Sequence, residues 1–400
     1  MIAFNIKDNS LLDDIGPEKI VIIKNPAIGL NAVLVIDNSA YGIPAGGVRL
    51  APDISLDEMI RLARAMSLKF CAYRLKVGGA KAGIWGDPLD LENKNLLLTG
   101  FANALETYIK NDVYYPGPDM GTDDHDLFKM FSVMGIPNFA PKPIGLKKNG
   151  IPVEELFTGY GVVNCLEVIY NNLDKFTSIQ RDTNRKPKVI LEGFGKVGTA
   201  LAIALDELGF KLTGLSTING AIYDDDGLNI KKLLELKQLH KDELVNHFES
   251  KNVIHLEKEK LFELSQDYKT DFIIPGARPD VINKLNVDNI ETIAIVPAAN
   301  IPYEKGTTDT LKERNIIAFP DFVANAGEVL ALLVNKVAKN AEEIFDFIKS
   351  KITEKTFEVI QGANEQNMST YDFAVADALR ELQKKLKRKK NYIEKQNNRN

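Results

Sequence analysis

Two cysteines in 400 residues leave little for a disulfide framework. Cys71 and Cys165 each stand in an apolar, helix-spaced run without a CxxC partner, so both read as buried, reduced thiols. The four histidines, His125, His240, His247 and His255, show no HExxH or similar spacing, and no metal site is expected. No apolar run is long enough to span a bilayer, and the start MIAFNIKDNS lacks the basic-then-apolar order of a signal peptide. The expected location is the cytoplasm. A formal net charge of -5 gives no general attraction to nucleic acid or to anionic membranes, so small molecules are the expected partners.

What is present suits two packed domains. The hydrophobic share is 44% and the charged share 26%, enough apolar material for cores of ordinary size. KIVIIKNP and AVLVIDN read as strands, and a helix follows from Ser55, with Glu58 placed to close a capping box. The stretch YYPGPDMGTDDHD breaks regular structure before Asp119, and a loop over 137–152 suggests a boundary. Then KVILEGFGKVGTALAIALDELG reads as strand, turn and helix, stopping at Gly209. The fold expected is α/β. Residues 1–150 form one α/β domain, 151–326 a Rossmann-type doubly wound domain, and 327–400 helices that return to the first domain and end in a basic tail.

Gly193, Gly195 and Gly198 make GxGxxG after a strand and at a helix start. Missing side chains let backbone N–H groups and the positive helix end approach a pyrophosphate, so Gly193, Phe194, Gly195, Lys196, Val197 and Gly198 are candidate coenzyme contacts. The ribose-facing position at the end of the next strand holds Ser216, Thr217, Ile218 and Asn219, neither acidic nor basic, which leaves NAD and NADP both open. The run Asp224 to Asp226 reads as an exposed turn.

In KVGGAKAGIWGDP, Lys81 stands among Gly79, Ala80, Ala82 and Gly83. A lysine so flanked is commonly an ordinary loop residue. Partial burial would lower its pKa and let it donate and accept protons, provided that an acid such as Asp119 meets it.

Taken in order, GGVRL (46–50), LARAMSLKFCAYRLKVGGAKAGI (62–84), GPDMGT (117–122), FTGYGV (157–162), LEGFGKVG (191–198) and FPDFVANAGEV (319–329) resemble the glutamate/leucine/phenylalanine/valine dehydrogenase family over nearly the whole chain. The resemblance implies NAD- or NADP-dependent, reversible oxidative deamination of an L-amino acid to its 2-oxo acid and ammonia. It implies that Lys81 activates water, that Lys69 pairs with the substrate α-carboxylate, and that Asp119 shuttles a proton at the amino group. Asn325 would hold the substrate backbone, and Thr158 and Asn300 would face the nicotinamide half. The glycines beside Lys81 would leave room for the reacting carbon. A first domain that both binds substrate and builds a homo-oligomer is implied too, with a cleft closing between the domains.

Glutamate-specific members of that family carry a lysine just before the GG of the first motif and a serine in the last helix. Ala45, before Gly46 and Gly47, and Leu332 stand there instead, with Val329 as a further apolar wall. A buried distal carboxylate would lack both partners. The substrate expected on this basis is apolar, such as leucine, valine or phenylalanine. The alternative is a glutamate dehydrogenase using another base such as Arg49. An alternative of a different class is a catalytically inactive dinucleotide-binding regulatory protein, with Glu328 and the alanines around Lys81 as its marks.

Overall fold

The computed structural model describes residues 12–140, 144–148, 150–177, 179, 181–334 and 337–397, and the segment MIAFNIKDNS lies outside them. The chain divides into two compact units, Met1–Pro143 with Ala376–Asn400, and Ile144–Val375. Residues 327–375 therefore group with the second unit, and only the end of the chain from Ala376 joins the first.

In the first unit, β1 (Lys19–Asn25) and β2 (Leu30–Asn38) form an antiparallel hairpin. Then follow β3 (Pro44–Ala51), α1 (Leu56–Ala72), β4 (Gly78–Trp85), α2 (Leu91–Lys110), β5 (Tyr115–Pro118) and α3 (Asp124–Val133). The sheet order is β1-β2-β4-β3-β5, with β3 parallel to both its neighbours. Val48, Leu50, Ala80, Ala82 and Ile84 share one core with Phe101 of α2 and Phe131 of α3. β5 runs through the Pro-rich stretch that reads as a break; as an edge strand with one partner it tolerates the missing N–H groups of Pro116 and Pro118.

Period-two alternation puts Gly79, Lys81 and Gly83 on the opposite face of β4, beneath α1. A Cβ at Gly79 would collide with Ser67 of α1, and one at Gly83 would meet Met59 Sδ at 2.9 Å. The glycines flanking Lys81 thus make room for a helix, which corrects the expectation that they clear space for substrate. Ser55 caps α1 by accepting from Glu58 N–H at 3.1 Å, while the Glu58 carboxylate reaches Arg49 rather than closing a capping box.

The second unit opens with β6 (Lys147–Lys148), β7 (Ile151–Pro152), α4 (Phe157–Asn171) and α5 (Leu173–Phe176). The nucleotide-type run is β8 (Lys188–Leu191), α6 (Lys196–Glu207), β9 (Lys211–Thr217), β10 (Gly220–Tyr223), α7 (Ile230–His240), α8 (Leu244–His247), β11 (Ile254–Leu256), α9 (Leu264–Asp267) and β12 (Phe272–Ile274). It continues through β13 (Ala294–Ile295), α10 (Thr307–Glu313), β14 (Ile317–Ala318), α11 (Asp321–Ala324), α12 (Gly327–Val334) and α13 (Ala341–Gln366), and α14 (Thr370–Asn397) begins in this unit but from Ala376 groups with the first. The order β11-β10-β9-β8-β12-β13-β14 is the doubly wound pattern around β8, with β8, β9, β12, β13 and β14 mutually parallel. β10 departs from it. The two residues between β9 and β10 are too few for a crossover, so the chain returns antiparallel.

Helix α13 stays with this unit because Phe345 packs on Phe157 and Tyr160 of α4, at ring distances of 5.5 and 4.7 Å. The Asp224 to Asp226 run is not an exposed turn throughout: Asp224 is buried, with Ser250 Oγ donating to it. Both thiols are buried, which pushes Cys71 and Cys165 up to about 12. Among the described residues no helix is long and apolar enough to cross a membrane.

Candidate active site

Lys81 lies at the middle of β4 with 3% of its surface exposed, and its Nζ contacts Asp119 Oδ2 at 2.6 Å. Arg49 Nε donates to the same oxygen at 3.0 Å, and its Nη1 pairs with Glu58 of α1. Lys81, Asp119, Arg49 and Glu58 make a charge-alternating row of two cations and two anions, which lets four ionisable groups sit largely out of water. Burial, with Arg49 adding to it, holds Lys81 below the ordinary lysine range against the pull of Asp119 and Glu58. Burial pushes Asp119 up, but Lys81 and Arg49 outweigh it and keep the carboxyl well below the usual carboxylate range. The pair therefore holds an ionised acid beside a lysine that releases its proton more readily than usual.

The GPDMGT motif fixes Asp119 from β3. Thr122 Oγ1 donates to Val48 O at 2.7 Å and accepts from Asp119 N–H at 3.0 Å, while Leu50 N–H donates to Met120 O at 2.9 Å. Gly121 takes φ +82° against the Leu50 carbonyl, a place that excludes a side chain. A Cβ on Gly47 would press on Asp119 Cβ at 2.7 Å, and Gly46 lies against the Ala80 carbonyl. Ala45 pairs with Gly79 and Tyr115 in the same sheet. Lys69 is buried, at 6% exposure, near the end of α1.

In the second unit the glycine turn has the form a pyrophosphate needs. Gly193 adopts φ +88° with its missing Cβ 3.0 Å from Ala277 Cβ, and Gly198 sits against the Gly193 carbonyl. Gly195, the N-cap of α6, has open space where a Cβ would lie and no side-chain cap, leaving the first N–H groups of α6 for an anion. Lys196 and Val197 begin that helix, and Phe194 is buried beneath it. Gly193 N–H donates to Ser216 Oγ at 3.2 Å, tying the turn to the end of β9, whereas Thr217 turns its hydroxyl to Asp242 O at 2.7 Å. These residues fit a dinucleotide.

Asn325 brings another group of expected residues together. Its Nδ2 donates to Ala298 O at 3.1 Å and to Asn300 Oδ1 at 2.9 Å, while its Oδ1 is buried without a partner. Gly327 packs tightly on Phe157 and on Thr158 N at the start of α4. Val329 is half-buried, but Leu332 is 64% exposed and Glu328 is exposed, so within this unit Leu332 forms no enclosed apolar wall. The residues that sequence reasoning missed are Arg49 and Glu58 as members of the Lys81 cluster; the arginine in GGVRL was the available signal.

A glycine turn opening a helix in a doubly wound sheet, and a buried lysine–aspartate pair on a second sheet, define a dinucleotide-dependent dehydrogenase. Residues 150–389 match the family model described as Glutamate/Leucine/Phenylalanine/Valine dehydrogenase, and residues 17–134 match the Glu/Leu/Phe/Val dehydrogenase dimerisation domain. The chain belongs to this family and is an NAD- or NADP-dependent amino-acid dehydrogenase, an oxidoreductase acting on CH–NH2. It is 33% identical over 334 residues to the NADP-specific glutamate dehydrogenase of Saccharolobus shibatae, covering 80% of this chain and 75% of that one. With the NAD-specific glutamate dehydrogenase of Staphylococcus aureus it shares 30% identity, covering 82% and 76%. Its fold is that of the hetero-hexameric glutamate dehydrogenase from Thermus thermophilus, with TM-score 0.77, 22% identity and 92% and 89% of the chains covered. The L-tryptophan dehydrogenase from Nostoc punctiforme also shares it, with TM-score 0.61, 20% identity and 92% and 97% covered.

Proposed function

We propose that the protein is a glutamate dehydrogenase, converting L-glutamate, water and an oxidised coenzyme to 2-oxoglutarate, ammonium, reduced coenzyme and a proton, and the reverse. The observation that carries this reading is that relatives 30% or more identical to this chain, covering about four fifths of it, bear that name. It replaces the preference for leucine, valine or phenylalanine expected from Ala45 and Leu332. Arg49, the base offered as a distal-carboxylate partner, is already engaged by Asp119 and Glu58 and is not a spare cation.

The roles are those that the family resemblance implies, and the chemistry of each group suits its role. Lys69 supplies a cation for the α-carboxylate, and Gly46 and Gly47 keep side chains off the sheet beside Asp119. Asp119, held ionised, takes a proton from the substrate ammonium. Lys81, when neutral, accepts a proton from the water that adds to the imino carbon, and then returns it as ammonia leaves. Asn325 Oδ1, buried and unpartnered, accepts a hydrogen bond from the substrate amino group. The bound coenzyme supplies the hydride acceptor. Gly193 to Gly198 hold its pyrophosphate, Ser216 and Thr217 flank its adenosine side, and Thr158 and Asn300 face the nicotinamide. The proposal includes self-association through residues 17–134, which match a dimerisation domain, and a cytoplasmic location in keeping with two reduced thiols.

A second reading, an apolar amino acid as substrate, is favoured by Ala45, which offers no cation beside Gly46 and Gly47. Absorbance of the reduced coenzyme, followed for a panel of L-amino acids with NAD and NADP in parallel, separates the two. Turnover of glutamate is the expected result. Turnover of leucine, valine or phenylalanine without glutamate would establish the second reading, and silence across the panel in both directions would sink both.

A further inference from the structure

Glu192 is the residue between β8 and the glycine turn. Its side chain is half-buried, and its Oε2 accepts two backbone N–H groups, from Gly276 and Ala277, both at 3.1 Å. Its own N–H donates to Ile274 O at 2.9 Å, so main chain and side chain both tie it to the end of β12. Ala277 in turn presses on Gly193, and Gly193 N–H is held by Ser216 of β9. The ends of three strands are thus joined beneath the turn, and the joint is a carboxylate one residue from the first glycine. A carboxylate is an odd choice there. An amide would accept the same two N–H groups without placing negative charge beside a site for an anion.

We propose that Glu192 is a coenzyme-positioning residue that ties the glycine turn to β12 and, when ionised, opposes the coenzyme pyrophosphate, making coenzyme affinity depend on pH. The inference rests on the assignment of the glycine turn to the coenzyme. The charged groups facing Glu192 are Lys258, which follows β11, and Arg278, which follows β12. Burial raises the Glu192 pKa, against the two backbone N–H groups and these two cations. A bound pyrophosphate adds negative charge and raises it further. The bound state therefore holds the proton more tightly than the free state, and affinity falls as pH rises from the free to the bound pKa. Lys258 and Arg278, within electrostatic reach of the carboxylate, offset part of this repulsion.

The test is calorimetric titration of NADH and NADPH into the full-length wild type, Glu192→Gln and Glu192→Ala from about pH 5 to about pH 9. Glu192→Gln keeps an oxygen for both N–H groups; it is expected to bind roughly three- to tenfold tighter than wild type at the alkaline end and to lose the acid-side gain. Glu192→Ala, which removes the tie, is expected to bind more weakly throughout; if it does not fold, the glutamine variant decides alone. Glu192→Gln with the wild-type Kd at every pH would overturn the proposal while leaving the coenzyme assignment intact. A wild type that binds neither dinucleotide would overturn that assignment and this inference with it.

Discussion

Lys81 Nζ and Arg49 Nε converge on one oxygen of Asp119, at 2.6 and 3.0 Å. The carboxylate thereby serves two cations with unequal duties. Arg49 is anchored from the other side by Glu58, whereas Lys81 has Asp119 as its one ion-pair partner among the described residues. The arginine is held between two carboxylates, and in the proposed mechanism the lysine is the group that exchanges a proton.

Replacing Lys81 with Met keeps the length and removes that proton. The kcat for deamination should fall by on the order of 10³ or more, with coenzyme affinity unchanged, because the glycine turn belongs to the other unit. Steady-state rates and a coenzyme titration check this. A loss smaller than tenfold would remove Lys81 from the proton-transfer step.

Arg49→Met tests the electrostatics of the same cluster. Arg49 lowers the pKa of both Lys81 and Asp119, so its removal raises both. In the proposed mechanism deamination needs neutral Lys81, so its rate is expected to rise as pH passes through the Lys81 pKa. The alkaline-side rise of kcat should therefore move to higher pH in the variant. A profile that stays in place, or moves to lower pH, contradicts the row of four charges.

Two glycines of the same sheet, on strands β4 and β5 that flank β3, should respond differently. Gly79→Ala drives a methyl group into Ser67 and Ala63 of α1, and the helix must shift; a loss of about 1–3 kcal/mol is expected, read as a lower Tm. Gly117 has nothing within 4 Å of its absent Cβ, and it stands two residues before Asp119, which directly follows the end of β5. Gly117→Ala should leave stability within about 0.5 kcal/mol of wild type and raise the KM for the amino acid, since its methyl group enters open space two residues before Asp119. Equal thermal stability of the two variants would show that α1 does not lie on β4 as described.

These contrasts also mark what could be read from residue order. The turn at Gly193 to Gly198 was legible because a strand, three spaced glycines and a helix are contiguous, and local rules suffice. The Lys81 cluster was only half legible. Arg49 lies on β3 and Glu58 on α1, and the pair exists because β3 and β4 lie side by side under that helix. A rule that looks three residues ahead assigns Glu58 to Ser55, since the competing guanidinium arrives through the sheet. β5 was hidden because prolines forbid a central strand, and its place at the sheet edge is a property of the whole topology. Glu192 was overlooked because its partners lie more than eighty positions away, at Gly276 and Ala277.

Asn325 offers a sharper test, because an isosteric change reverses what its side chain can do. Its Nδ2 donates to Ala298 O and Asn300 Oδ1, so Asn325→Asp sets an acceptor against acceptors in a buried place. The loss should be about 2–4 kcal/mol at neutral pH. In the folded variant the carboxyl is held above its unfolded value, because only its protonated form can donate. The penalty is then fully present above the folded pKa and is relieved as pH falls through it. Denaturant titrations of wild type and variant across that range should therefore converge on the acid side. Parallel curves at every pH would mean that the Nδ2 contacts do not hold Ala298 and Asn300 in place.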